Sequence, residues 1–269
     1  MRRIATWNIN SARLRIDLIE RFLAEEVPDV LCLQETKSPV EKLPVDRFEA
    51  AGYGHWAARG QPGYNGVAVL SRWPLEDLGA IDFCAMGDAR HIAVSVSFPG
   101  AEPVTLHNVY TPAGGDEPDV EANPKFRHKL DFVDEMAERF AEAGPRSVVL
   151  GDLNIAPLEQ DVWSHKQLLK VVSHTPVEVE KFTRAQAAGG WIDAARRITP
   201  ESEKLYSWWS YRARDWAASN RGRRLDHIWL SPDLGEALTD AAVIKAARGW
   251  EKPSDHAPVI ASLAIGARE

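Results

Sequence analysis

The stretch "HIAVSVSFPGAEPVTLHNVY", residues 91–110, holds two runs rich in β-branched residues, separated by five residues that include two prolines and a glycine. Short runs of this composition favour strand over buried helix. The link between them is of hairpin length, so the two strands are expected to lie antiparallel. Further runs of the same kind recur: "RIATWNI", "DVLCLQ", "GVAVLS", "SVVLGD", "HIWLS" and "PVIASLAI". Two segments read as amphipathic helices, "LRIDLIERFLAEE" and "KFRHKLDFVDEMAERFAEA", the second with Leu130, Val133, Met136, Ala137 and Phe140 at helical spacing. Strand and helix do not alternate strictly, so a simple doubly wound parallel sheet fits poorly. The expected architecture is α/β: two mixed β-sheets packed face to face and flanked by helices.

The 269 residues contain no repeat, no low-complexity tract and no linker long enough to separate domains, so one domain spanning 1–269 is expected. Hydrophobic residues make up 45% and charged residues 26%, which supplies ample material for a core. No apolar run reaches the roughly 18 residues of a membrane span. The N-terminal "MRRIATWNIN" has a basic pair but no apolar region after it, so no secretory signal is expected. Cys32 and Cys84 lack metal-type spacing, and Cys32 inside "VLCLQ" reads as a small buried hydrophobe. A reducing, cytoplasmic setting follows as an expectation.

The net charge is −7, but its distribution matters more than its total. The segment "YRARDWAASNRGRR" gathers Arg212, Arg214, Arg221, Arg223 and Arg224 around Tyr211 and Trp216. A second basic cluster, Lys125, Arg127, His128 and Lys129, follows a glycine-rich loop. Arginine interleaved with aromatics suits phosphate and base contacts.

Polar residues collect at the strand ends. "ATWNIN" ends on Asn8 and Asn10, "VLCLQE" on Glu35, "LHNVY" on Tyr110 and "VVLGDLN" on Asp152 and Asn154. "LDHIWLS" opens with Asp226, and "SDHAPVIASL" with Asp255 and His256. Each alone suits a cap or turn. Packed sheets bring such ends together, and converging carboxylates repel unless a cation lies among them. Oxygen ligands of this kind select Mg²⁺ or Mn²⁺ over zinc.

In order along the chain, "TWNIN", "LQETK", "NVYTPAGG", "GDLNIAP", "YSWWSYR", "RLDHIWLS" and "SDHAPV" resemble the exonuclease III family of apurinic/apyrimidinic endonucleases. That family lies within the endonuclease/exonuclease/phosphatase superfamily, which includes deoxyribonuclease I. The resemblance implies a four-layer αββα sandwich and Mg²⁺-dependent cleavage of DNA phosphodiesters, with Mn²⁺ able to substitute. It further implies 3′→5′ exonuclease action on double-stranded DNA, incision at abasic sites, and a monomer acting away from membranes. The alternative it leaves open is a superfamily phosphoesterase for a non-DNA ester.

Residue roles follow from the same resemblance. Glu35 matches the principal metal-binding glutamate, with Asn8, Asn10 and Asp255 as further metal-site residues. Asp152 and Asn154 match the pair that positions or deprotonates the attacking water, and Tyr110 the tyrosine near the scissile phosphate. Asp226 and His256 match an Asp–His pair, with Asp152, Asn154 and His256 also at the metal. Trp208 matches the aromatic wall of a pocket for an extruded abasic sugar. Lys125, Arg127, Arg212, Arg221 and Arg223 are the expected DNA contacts. Two positions depart from some relatives: Asn10 stands where they carry Asp, and Arg223 where they carry a pocket tryptophan.

Overall fold

A computed structural model describes residues 1–266. The strands are β1 (Arg2–Asn8), β2 (Val30–Gln34), β3 (His55–Arg59), β4 (Val67–Ser71), β5 (Leu75–Gly79), β6 (His91–Val96) and β7 (Val104–Tyr110). They continue with β8 (Ser147–Asp152), β9 (Ile192–Asp193), β10 (Trp208–Trp209), β11 (Gly222–Arg223), β12 (Asp226–Leu230), β13 (Leu238–Val243) and β14 (Val259–Leu263). The helices are α1 (Ile16–Glu26), α2 (Val45–Ala50), α3 (Pro124–Phe140), α4 (His165–Leu168), α5 (Pro176–Ala188), α6 (Ala194–Ile198), α7 (Trp216–Ser219) and α8 (Pro232–Glu236).

Two six-stranded sheets form the body, in the orders β13-β14-β1-β2-β4-β3 and β5-β6-β7-β8-β12-β9. Within them β1 runs parallel to β2 and β7 to β8, while the other pairs are antiparallel. β6 and β7 pair in the hairpin expected of residues 91–110. The four-layer sandwich is therefore present.

Side chains alternate faces along a strand, and that period of two builds both core and site. In β1, Ile4 joins the core between the sheets, while Ala5 and Trp7 face outward onto Ile19, Phe22 and Leu23 of α1. In β8, Val148 and Leu150 face inward, and Val149 meets the outer layer of Phe132, Val133 and Phe182 from α3 and α5. Following the inward parity to the strand ends gives Asn8, Gln34, Asn108, Tyr110 and Asp152, and β12 begins on the same face with Asp226. The apolar core thus gives way to polar side chains at one end of the sandwich.

A layer of amides joins the two sheets there. Gln34 donates to Thr6 Oγ1 at 2.9 Å and to Asn108 Oδ1 at 2.6 Å. Asn108 Nδ2 donates to the carbonyls of Leu33 and Ala68. The network fixes the sheets against each other, although Gln34 Oε1 is buried without a partner.

Two sequence expectations are corrected. The helix drawn to Ala143 ends at Phe140, with Ala141 as its cap. α5 was not among the expected helices, because its buried face mixes Glu178 with Phe182 and Ala185 and so lacks an apolar stripe. Its capping box, Thr175 with Glu178, was the signal that could have found it.

Under the outer layer, His91 Nε2 and His107 Nδ1 lie 3.2 Å apart, and the Ile81 amide donates to His91 Nδ1 at 2.8 Å. Burial holds both rings neutral, pushing His91 down to about 3, with His107 and Arg59 contributing, and His107 down to about 4. The unfolded rings titrate near 6.5. Below that pH the unfolded chain binds more protons than the native one, so stability is complete above about 6.5 and falls as pH drops towards 4. Each ring contributes about 1.4 kcal/mol per pH unit at most across that window. The urea midpoint should therefore fall steeply between pH 6.5 and 4.5, and His107→Gln should flatten the slope. A variant slope equal to wild type would contradict this account.

Candidate active site

The glycine of "GDLN" is there for space. Gly151 has φ +143°, and a Cβ would collide with the Val109 carbonyl oxygen of the parallel neighbour β7. This close approach brings Asp152 level with Tyr110 across the β7–β8 ladder. Asp152 is also the register partner of Asp226 in β12. Asn154 then turns back with φ +55°, a left-handed conformation that asparagine tolerates. Its amide N–H donates to Asp152 Oδ1 at 3.0 Å, and its Nδ2 donates to the Thr111 carbonyl at 2.9 Å.

Glu35 follows β2 with φ +50°, an unfavourable backbone for a non-glycine residue of the kind that collects at functional sites. The Tyr110 hydroxyl and Asn8 Nδ2 both donate to Glu35 Oε1 at 2.9 Å. Asn8 Nδ2 also donates to Asp152 Oδ2 at 2.8 Å, bridging the two acids. Burial opposes ionisation of Glu35, but hydrogen bonds from Asn8 and Lys37 and the charges of Lys37 and His256 outweigh it and hold the carboxyl low. Lys37 lies 2.8 Å from Glu35 Oε2, a contact that the motif "QETK" does not announce.

His256 Nδ1 lies 2.8 Å from Asp226 Oδ2, which also accepts from Ser207 Oγ at 2.6 Å. His256 Nε2 is 3.7 Å from Asp152 Oδ2. Burial disfavours the imidazolium, yet the charges of Asp226 and Asp152 overcome it and raise His256 well above an ordinary histidine, to about 10. Asp152 is raised as well, towards its neutral form: burial pushes its carboxyl up, reinforced by Asp226 and Glu35 and opposed by His256 and by the Asn8 hydrogen bond. The result is a protonated histidine beside a carboxylate poised to take a proton, which is an acid–base arrangement. Ser207 is a functional residue that sequence reasoning missed, since a lone serine upstream of "WW" carries no distinctive signal.

Asp255 accepts from Asn10 Nδ2 at 3.2 Å and from Trp208 Nε1 at 3.0 Å. Burial raises its carboxyl, but His256, Trp208 and Asn10 together hold it below the usual range. Asp152, Asp226 and His256 bring ligand atoms within 4.8 Å of one another, a grouping able to hold a metal. Asp226 Oδ1 is buried without a partner. Counting Glu35, Asp255 and the amides of Asn8, Asn10 and Asn154, the donors are almost all oxygen, and they fit a hard divalent cation.

These residues open onto a cavity of about 630 Å³, which Glu35, Tyr110, Asp152, Asn154, Asp255 and His256 share with Trp208, Arg212, Arg221 and Arg223. Lys125 and Arg127 do not line it: both are exposed at the start of α3, and Arg127 pairs with Glu121. Two members of the basic clusters prove structural. Lys129 is fully buried against Glu178 at 2.5 Å, and Arg224 is buried between Asp161 and Asp193.

Residues 5–256 match the endonuclease/exonuclease/phosphatase family. An exodeoxyribonuclease III from Haemophilus influenzae is 30% identical, over 96% of this chain and 98% of its own. An AP endonuclease structure from Archaeoglobus fulgidus superposes with a TM-score of 0.90 at 30% identity, covering 98% of this chain and 100% of that one. A 3′ phosphatase from Neisseria, bound to product DNA hairpin, gives a TM-score of 0.87 at 32% identity, covering 98% and 99%. The chain belongs to the endonuclease/exonuclease/phosphatase family, and within it to the exonuclease III branch. It is a hydrolase of phosphodiester bonds. Among the described residues no helix is long and apolar enough to cross a membrane.

Proposed function

We propose that this protein is a Mg²⁺-dependent DNA-repair nuclease that removes nucleotides from the 3′ ends of duplex DNA and incises the backbone at abasic sites. Mn²⁺ substitutes for Mg²⁺, and the chain works as a monomer. The observation that carries this reading is the His256–Asp226 pair beside Asp152, in one cavity with an arginine and tryptophan wall.

Asp152 takes the proton of the attacking water, and His256, held by Asp226, donates to a phosphate oxygen as charge builds there. Glu35, Asp152 and Asp255 are the residues that would hold the cation, with Asn8 and Asn10 orienting these acids through their amide nitrogens. Bound there, Mg²⁺ supplies charge neutralisation at the phosphate and the departing 3′ oxygen. Tyr110, pinned to Glu35, presents its ring beneath the Arg90 guanidinium, 4.8 Å away. An acidic chain can bind DNA this way because phosphate binding depends on local positive charge.

A duplex with one abasic analogue, end-labelled at either strand terminus, tests the reading. Incubated with Mg²⁺, with Mn²⁺ and with chelator, it should give an incision product and a 3′ digestion ladder that chelator abolishes. Cleavage of lipid or sugar phosphates in preference to DNA would overturn it.

Trp208 is half-buried and lines the cavity, so Trp208→Ala should change the ratio of abasic incision to end digestion while the melting temperature stays near wild type. A core tryptophan would instead cost about 3–5 kcal/mol. Both rates and the melt, measured on one preparation, decide: a parallel fall in all three ends the pocket role.

A further inference from the structure

Behind the strand that carries Trp208 lies a second cavity, of about 330 Å³, which has no lining residue in common with the catalytic one. Neighbouring side chains of a strand point to opposite faces, so Trp208 of β10 lines the catalytic cavity and Trp209 lines this one. Its size lies at the lower end of the range for small-molecule pockets. Leu205, Ala242 and Val243 supply apolar surface, and Lys204, before β10, and Lys245, after β13, supply charge. Among the described residues no acid lines the cavity, and neither lysine forms an ion pair.

The donors around this cavity have capacity to spare. Tyr206 lines it at 6% exposure, and its hydroxyl is buried with no partner. Burial raises the phenol above its ordinary pKa, and the nearby Lys204 ammonium opposes that rise. Lys204 Nζ donates to the Trp163 carbonyl at 3.2 Å. Lys245 Nζ donates to Asn220 Oδ1 at 3.1 Å and sits 5.4 Å from the Trp209 ring centroid. An ammonium carries three donors, so each lysine has donors left over. An oxygen accepting from Tyr206 would remove the cost of a buried hydroxyl without a partner. Two cations with no acid between them make that acceptor an anion.

We propose that this cavity is a binding site for a small phosphate, held by Lys204, Lys245 and the Tyr206 hydroxyl. A carboxylate offers two oxygens and one charge. A phosphate monoester offers three oxygens and up to two charges, which suits two ammoniums and a phenol. Two sources carry this chemistry: free inorganic phosphate, and the mononucleotides that digestion from a 3′ end releases, whose organic part would meet Leu205, Ala242 and Val243. The second source rests on the nuclease reading above, whereas the site itself does not. The segment Tyr206–Trp209 serves both cavities, because Ser207 and Trp208 hold Asp226 and Asp255. The phosphate would therefore lie directly behind two acids of the catalytic site.

Indole N–H resonances report on each cavity separately. Trp209 Nε1 donates to Asn220 Oδ1, the acceptor it shares with Lys245, and Trp208 Nε1 donates to Asp255. The intact protein, in chelator, is titrated with inorganic phosphate, with deoxyadenosine monophosphate and with deoxyadenosine. The Trp209 resonance should move saturably with a phosphate-bearing probe and stay in place with deoxyadenosine. Lys204→Gln and Lys245→Gln, both at exposed positions, should each weaken that binding by about tenfold, the worth of one charge-assisted hydrogen bond. Monophosphate bound about tenfold or more tighter than phosphate identifies the mononucleotide as the occupant; a smaller difference identifies free phosphate. The site is overturned by a Trp209 resonance that never moves, by an equal response to deoxyadenosine, by a response of Trp208 alone, or by binding that survives both substitutions. None of these touches the nuclease reading, whereas wild type that binds phosphate here but digests no duplex end keeps the site and loses that reading.

Discussion

Asp152→Asn lowers single-turnover DNA cleavage by roughly 10²–10⁴-fold, the contribution expected of a positioned general base, and leaves the melting temperature at or above that of wild type. The substitution keeps the shape and the contact with Asn8 but removes a carboxylate whose ionisation burial and its acidic neighbours already oppose. Losing that charge relieves repulsion with Asp226 and Glu35, so the fold has little to lose. It also withdraws one of the two largest supports for the imidazolium of His256, whose pKa should fall in the variant. Proton NMR of the His256 ring, followed with the cleavage rate, checks both halves. A near-normal rate would remove Asp152 from the base role, and an unchanged ring pKa would show that the two groups are not coupled.

Lys129→Met destabilises the protein by about 3–5 kcal/mol, the cost of stranding one half of a buried ion pair. Lys129 is fully buried on α3, 2.5 Å from Glu178 of α5, and its ammonium donates to the backbone carbonyls of Asn154 at 2.8 Å and Ala113 at 3.3 Å. Glu178 in turn accepts from the Ser173 and Thr175 amides and from the Thr175 hydroxyl. Removing the lysine leaves a buried carboxylate without its ion-pair partner. The double variant Lys129→Met with Glu178→Gln should therefore be more stable than Lys129→Met alone, although it carries one more change. Urea midpoints of the four proteins close the cycle. Additive losses would show that the two residues act independently.

Most of the site was legible because a strand shows its parity in sequence. Asn8, Tyr110, Asp152 and Asp226 continue the inward-facing positions of apolar runs, so their convergence follows from packing two sheets face to face. His256 and Asp255 precede β14 closely enough to share its end of the sheet. What stayed hidden depends on partners far away in the chain. Lys129 and Arg224 look like members of basic patches until Glu178, Asp161 and Asp193 arrive from other elements to bury them. A run of charges does not say which of its members will be paired. β5, with its middle residues exposed at a sheet edge, and α5, with a glutamate on its buried face, lack the periodicity that marks the other elements. Ser207 and Lys37 each hold an acid of the site from an isolated position, and one residue leaves no pattern.

The pairing of β1 with β14 has a kinetic meaning. Arg2 is aligned with Leu263 and Thr6 with Val259, so the first and last strands among the described residues meet inside one sheet rather than at its edges. Contacts of such sequence separation are slow to form, since a long loop must close before they contribute. Asn8 sits at the end of one of these strands, and Asp255 and His256 lead into the other. A growing chain therefore holds no complete catalytic group until β14 has been threaded between β13 and β1. Hydrolytic competence is gained only when β14 pairs with β1, and it is lost if that strand is peeled away.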